Sequence, residues 1–228
     1  MLRKILSPLN CWVTGVSIFI MAFVNGSFVT RLVQVYPPGE GNVLFLGSVC
    51  MLFAMATTLM LLWLCYGLAA KWVLASYLVA SSLAAYFMSA YGTVIDQTML
   101  ENTLQTNAAE AGDLFSVSML LYLLGLGLLP AWWVLRRMPK AEGLLTEMRS
   151  RTLFSLCLLL AMVLLIVPFT SQYASFFREH KSLRFYANPT YFAYSTIRLV
   201  SSKLKGSVAP TVVQAVAQDA LLNDGPAQ

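Results

Sequence analysis

Five long apolar runs dominate the chain, separated by short polar connections. They extend roughly from Trp12 to Val33, Val43 to Gly67, Trp72 to Tyr91, Val117 to Leu135 and Leu153 to Phe169. Each approaches the about 20 apolar residues that a helix needs to cross hydrocarbon. Runs such as Met51-Leu52-Phe53-Ala54-Met55-Ala56 are continuously apolar and lack the period-two alternation of a barrel strand. Backbone polar groups in lipid must pair internally, and a helix does this within one segment. The pattern predicts an all-α integral membrane protein, a five-transmembrane-helix bundle occupying residues 1–170. The first run is expected to stay as a span. It is long for a signal-peptide core, and no small-x-small cleavage site follows it cleanly.

Beyond Phe169 the pattern changes. Tyr173, Phe176, Phe177, Arg178, His180, Lys181, Arg184 and Phe185 mix aromatic and basic side chains, which suits a membrane interface. Pro189 can open a further helix. There Phe192, Thr196 and Leu199 recur at helical spacing, so an amphipathic helix on the outer surface is expected. From Gly206 the residues are small and polar, as in a linker. Residues 171–228 are therefore read as a juxtamembrane helix and a linker leading to a domain outside this chain.

Composition agrees with the pattern. Hydrophobic residues make up 58% of the chain and charged residues 11%, against about 25% charged in soluble domains. The mean hydropathy is +0.70, so lipid must be the solvent for much of the surface. Cys11, Cys50, Cys65 and Cys157 lie in or beside apolar runs without paired spacing, as small hydrophobes do. Nothing in the chain points to nucleic acid.

Charge sets the orientation. With the N-terminus inside, the inner segments hold Arg3, Lys4, Lys71, Arg136, Arg137, Lys140, Arg149 and Arg151, and the two outer loops hold only Arg31. Positive residues mark the cytoplasmic side. This gives a multi-pass protein of a bacterial inner membrane, with the N-terminus cytoplasmic and the C-terminus periplasmic. The basic stretch from Arg136 to Arg151 reads as an anchor beside anionic headgroups. The loop 92–114 falls on the periplasmic side.

Within that loop, residues 96–113 carry Asp96, Glu101, Glu110 and Asp113 and no Lys or Arg, although the whole chain is +5. Taken as an outer-face helix, Thr98, Asn102, Thr106 and Glu110 stack four apart on one side. A carboxylate there can pair with an ammonium, while amide and hydroxyl groups donate to phosphate oxygens. The face therefore fits a zwitterionic lipid headgroup, and equally a solvated connector. Arg178 and Lys181 are candidates for an anionic lipid phosphate, or for pairing with the acidic loop. His180 is the only histidine. No catalytic or metal-ligating set is visible, and the spans contain few ionisable groups. A non-enzymatic partner subunit or small transporter is the alternative that these residues leave open.

Two blocks resemble a known family. Tyr91-Gly92-Thr93-Val94-Ile95-Asp96-Gln97-Thr98-Met99-Leu100-Glu101-Asn102-Thr103-Leu104-Gln105-Thr106, with Glu110-Ala111-Gly112-Asp113-Leu114, is the first. Tyr173-Ala174-Ser175-Phe176-Phe177-Arg178-Glu179-His180-Lys181-Ser182-Leu183-Arg184 with Asn188-Pro189 is the second. Both resemble the N-terminal membrane domain of the lipid A phosphoethanolamine transferases, the family of the mobile colistin-resistance enzymes. The resemblance implies a five-helix inner-membrane domain tethering a periplasmic catalytic domain with an alkaline-phosphatase-like fold. It implies zinc and a threonine nucleophile in that domain, outside this chain. The partners it implies are phosphatidylethanolamine as donor, lipid A as acceptor, bilayer lipids and the chain's own C-terminal periplasmic domain. The full-length protein would then be an enzyme that lowers polymyxin binding, whereas these 228 residues hold neither nucleophile nor zinc ligands. It also implies donor-headgroup contact by Asn102, Thr106 and Glu110.

Overall fold

In the computed structural model, residues 7–65, 67–95, 99, 116–139, 144–180, 183–188 and 190–206 are described. Among them every regular element is helical. Ser7 starts the first helix by accepting the Asn10 amide at 3.3 Å, and Pro8 occupies the first turn, where a missing N–H costs nothing. This helix, α1 (Pro8–Phe19), runs into a π turn, Ile20–Val24, and stops at Asn25. The chain resumes as α2 (Gly26–Val35), bent by 64° from α1. A short turn leads to α3 (Val43–Leu64) and a second one to α4 (Ala70–Tyr91). The fourth span comprises α5 (Val117–Tyr122), a π turn Leu123–Leu128 and α6 (Leu129–Arg137). Next come α7 (Leu144–Ile166), a 3-10 turn, α8 (Thr170–Glu179), the 3-10 turn Leu183–Tyr186 and α9 (Thr190–Gly206).

The five expected spans are thus present, and four of them are long, apolar helical runs. The first departs from expectation. It is not one helix from Trp12 to Val33 but a crossing segment that breaks at Asn25. The cause is visible in α2, whose Ser27, Thr30, Arg31 and Gln34 make it too polar to continue through hydrocarbon. The fifth also differs. It begins near Leu144 rather than Leu153, so Arg149 and Arg151 belong to its helix and not to a loop.

The helix α1 packs on α3, and the π turn that follows it reaches α4. The helix α7 also packs on α3, and α5 and α6 pack along α4. At the proximal end of the bundle, where α1 begins, Val13, Val16, Leu61, Leu62, Leu74, Leu78 and Val134 form one core. At the distal end Phe28, Leu32, Phe45, Val49, Tyr173 and Phe176 form another, joining α2, α3 and α8. There Ser48 and Tyr173 share a hydroxyl hydrogen bond of 3.0 Å. Tyr173 and Phe176, read from the sequence as interfacial, are therefore core residues, while Phe177 and Arg178 stay exposed. Helix α9 confirms the helix expected after Pro189, with Leu199 and Ser195 on its buried face.

Small residues set the closest approach. A Cβ placed on Gly127 would collide with Ser82 Oγ and lie 3.2 Å from Ser82 Cβ and 3.4 Å from Val79 Cα. Glycine in the π turn lets the fourth span press onto α4, as small residues do between membrane helices. Leu156, Leu160, Val163, Leu164 and Val167 point outward from the fifth span, as lipid-facing side chains must.

The basic stretch read as a solvated anchor is only partly that. Arg136 stacks over Trp132 at 4.8 Å, an interfacial arrangement. Arg151, by contrast, is fully buried. Its Nη1 donates to the Leu62 carbonyl at 2.8 Å and its Nη2 to Glu147 Oε2 at 3.2 Å. Leu62 is in the last turn of α3, where carbonyls lack helical partners, and a cation there also suits the helix dipole. Nearby, Asn10 Nδ2 donates to Ser150 Oγ at 3.1 Å. The proximal ends of α1, α3 and α7 are clasped by polar groups that the loop reading placed in solvent.

Candidate functional site

The break in the first span creates the polar site of the bundle. Asn25 ends the π turn with φ −97° and ψ 27°, and its buried side chain is occupied on both ends. Its Nδ2 donates to the Asn188 carbonyl and, at 3.2 Å, to the Ile20 carbonyl. Its Oδ1 accepts the Asn188 amide at 2.7 Å. Asn188 Nδ2 in turn donates to the Ser81 carbonyl at 2.8 Å. One amide thus imitates a backbone partner for the turn after Tyr186 and ties that turn to α1 and α4 in the interior.

One level above this latch lies Arg31. Helix α4 ends at Gly92, whose φ of +64° is a left-handed cap that glycine adopts without strain. The cap turns the Gly92 carbonyl towards α2, where it accepts from Arg31 Nη2 at 3.4 Å and from the Tyr186 hydroxyl at 3.2 Å. The guanidinium lies over the Tyr186 ring, 3.9 Å from its centroid. Arg31 is half-buried, and among the described residues no carboxylate forms an ion pair with it.

Between α2 and α4, beside these contacts, is a cavity of about 500 Å³. Ser27, Thr30, Arg31, Gln34 and Ser89 give it a polar wall, and Phe23, Val24, Met88 and Tyr122 an apolar one. The polar wall is mostly one face of α2, with residues at i, i+3, i+4 and i+7. The opposite face carries Phe28 and Leu32, both fully buried in the distal core. A second cavity of about 670 Å³ lies deeper, lined by Trp12, Gly15, Phe19, Pro130, Trp133 and other apolar groups.

Of the residues singled out from the sequence, Asn102, Thr106, Glu110 and Lys181 lie outside the described residues. Arg178 sits on α8, exposed, and pairs with the adjacent Glu179 at 2.8 Å. It does not line the cavity. His180 is half-buried, edge-on to Tyr36 with ring centroids 5.7 Å apart. Burial raises the Tyr36 phenol above its ordinary pKa, so it stays neutral at physiological pH. The sequence reading missed Ser27, Thr30, Gln34 and Ser89, and took Arg31 only as an orientation marker. The helical spacing within 27–34 was the signal available. Among the described residues, no three or more His, Cys, Asp or Glu side chains are grouped to hold a metal ion. The zinc that the resemblance implies therefore finds no donor set in them.

Comparison with known proteins bears on this architecture. The family model for phosphoethanolamine transferases EptA/EptB matches residues 52–204. The phosphatidylethanolamine transferase Mcr-2 of Escherichia coli is 36% identical over 222 residues, which cover 93% of this chain and 39% of Mcr-2. Mcr-1 of Escherichia coli is 35% identical over 224 residues, covering 96% of this chain and 40% of Mcr-1. The integral membrane lipooligosaccharide phosphoethanolamine transferase EptA of Neisseria meningitidis has the same fold. It superposes with a TM-score of 0.81 at 23% identity, over 88% of this chain and 37% of that one. The chain spans about two fifths of the length of these relatives. On the breadth of the family match, the chain belongs to the EptA/EptB phosphoethanolamine transferase family.

Proposed function

We propose that this chain is the membrane domain of an enzyme that moves phosphoethanolamine from phosphatidylethanolamine to lipid A. The observation that carries the reading is the match along nearly the whole chain to two phosphatidylethanolamine transferases. The domain anchors the enzyme in a bacterial inner membrane, with the N-terminus cytoplasmic and the distal end periplasmic. Residues 171–228 lead to a periplasmic catalytic domain that supplies the nucleophile and the zinc. Asn102, Thr106 and Glu110 contact the donor headgroup, Glu110 meeting its ammonium and the other two its phosphate. Arg178 and Lys181 attract lipid phosphate. The Asn25–Asn188 latch supports this reading, because it fixes the juxtamembrane turn to the interior of the bundle. A domain attached beyond α9 then inherits a defined starting point relative to the bilayer. Adding a cationic amine to lipid A lowers its negative charge and weakens polymyxin binding.

The test is mass spectrometry of lipid A from Escherichia coli expressing the gene that encodes this domain. Lipid A carrying added phosphoethanolamine is expected, together with polymyxin resistance. The 228 residues alone should transfer nothing, and zinc-dependent turnover by them would overturn the reading. Glu110→Ala and Thr106→Ala should each lower the modified fraction at unchanged protein level. Full resistance in both variants would remove those residues from the donor site.

A further inference from the structure

The Gly92 carbonyl joins three parts of the chain. It stands at the end of α4 and accepts from Arg31 of α2 and from Tyr186 of the turn before α9. Arg31 and Tyr186 also hold each other, the guanidinium lying 3.9 Å from the ring centroid. Each of the three groups therefore touches both others, and when one contact opens the remaining two bring it back. Apolar packing continues the junction past Gly92. Ile95 is buried with Ala84 and Met88 of α4, and Tyr186 and Met99 pack against the same cluster. The turn that carries Tyr186 is pinned again at Asn188. There the main chain pairs with Asn25, and the side chain donates to the Ser81 carbonyl of α4.

Two stretches of chain leave the bundle from this junction. One runs on from Gly92 towards Asn102, Thr106 and Glu110, and the other from Tyr186 into α9. On the function proposed above, the first meets the donor headgroup and the second leads to the catalytic domain. Transfer needs the reacting atoms about 3–3.5 Å apart, and a misplacement of about 1 Å can cost about 10²-fold in rate. We propose that Arg31 and Tyr186 are positioning residues for this transfer, fixing the spacing of the two stretches by sharing the Gly92 carbonyl. This role rests on the donor and catalytic-domain placements of the proposed function. Both hydrogen bonds to Gly92 are solvent-exposed. Water can replace a partner lost there, so they contribute little to stability. Loosening the junction should therefore change the rate and leave the melting temperature alone.

The experiment uses the purified full-length protein in detergent micelles with phosphatidylethanolamine and lipid A. Tyr186→Phe keeps the ring beneath the guanidinium and removes only the hydroxyl. Arg31→Gln removes the charge and the stacked fork. Each should lower kcat about tenfold, with KM for phosphatidylethanolamine and the melting temperature unchanged. Because both residues act on one carbonyl, the double variant should lose no more than about twofold beyond the worse single variant. Arg31→Lys should recover part of the rate lost in Arg31→Gln. Hydrogen exchange, measured alongside, should quicken in peptides spanning 88–95 and 183–188 of each variant and stay as in wild type across α3. Losses that multiply in the double variant would mean independent action and overturn the shared junction. A melting temperature that falls in step with kcat would assign both residues to general stability and overturn the positioning role. Wild-type kcat in both single variants would overturn it as well, whatever the exchange. If Arg31→Gln fails to fold, Tyr186→Phe decides alone. Wild-type exchange in a folded Tyr186→Phe protein would overturn the junction itself. Absence of transfer by the wild type would sink the proposed function and the positioning role with it, while faster exchange in the variants would still show the junction to hold.

Discussion

Replacing Asn25 with alanine tests whether the break in the first span is held by the turn that follows Tyr186. The Asn25 side chain makes two hydrogen bonds to the Asn188 main chain and a third to the Ile20 carbonyl. Asn188 is only 5% exposed, so water cannot readily replace the lost partner. A buried polar group left without one costs about 1–3 kcal/mol. Two orphaned main-chain groups on Asn188 therefore set the expected loss at roughly 2–6 kcal/mol. At about 2–4 °C per kcal/mol for a domain of this size, Asn25→Ala should melt on the order of 10 °C below wild type. Asn188→Ala is the informative contrast. It removes the bond from Nδ2 to the Ser81 carbonyl but leaves the main-chain pair with Asn25 intact, and should cost only about 1 kcal/mol. Thermal unfolding of the detergent-solubilised protein measures both. Trypsin cleavage between Arg178 and Arg184 should also quicken in Asn25→Ala, as the turn leaves the bundle. Equal melting of Asn25→Ala and wild type, or equal damage from the two variants, would refute the latch.

Other changes test the remaining contacts. Arg151→Leu leaves Glu147 buried without its partner and should destabilise by about 3–5 kcal/mol, while Arg151→Leu/Glu147→Leu should recover most of that in the same melting assay. Failure of the double variant to recover would mean that the Leu62 carbonyl, not the ion pair, dominates. Gly127→Ala drives a methyl onto Ser82 and should cost about 1–3 kcal/mol. Ser82→Gly in the same chain should restore the melting temperature, and its failure to do so would place the strain elsewhere.

The spans were readable because runs of about 20 apolar residues have few other uses. The break at Asn25 was not, because the apolar residues on both sides of Asn25-Gly26 fill a hydropathy window and hide it. Its trace was the spacing of Ser27, Thr30, Arg31 and Gln34, a polar stripe backed by Phe28 and Leu32. Arg151 was misread for a different reason. A basic residue beside a span normally stays in water, and only tertiary packing shows the Leu62 carbonyl waiting for it. The latch could not be read at all. Asn25 and Asn188 are far apart in sequence, and a single amide carries no periodicity. The acidic face of Asn102, Thr106 and Glu110 was read from spacing and resemblance, and lies outside the described residues.

The bend also shortens the straight part of the first span. The twelve residues of α1 and the five of its π turn rise about 25 Å at 1.5 Å per residue. Bilayer hydrocarbon is about 30 Å thick. The straight part of the first span is therefore several ångströms short of a full crossing when the chain bends by 64°. An apolar stretch shorter than the hydrocarbon is met by local thinning of the bilayer. Thinning there would bring headgroups closer to the Asn25 bend than to the rest of the bundle.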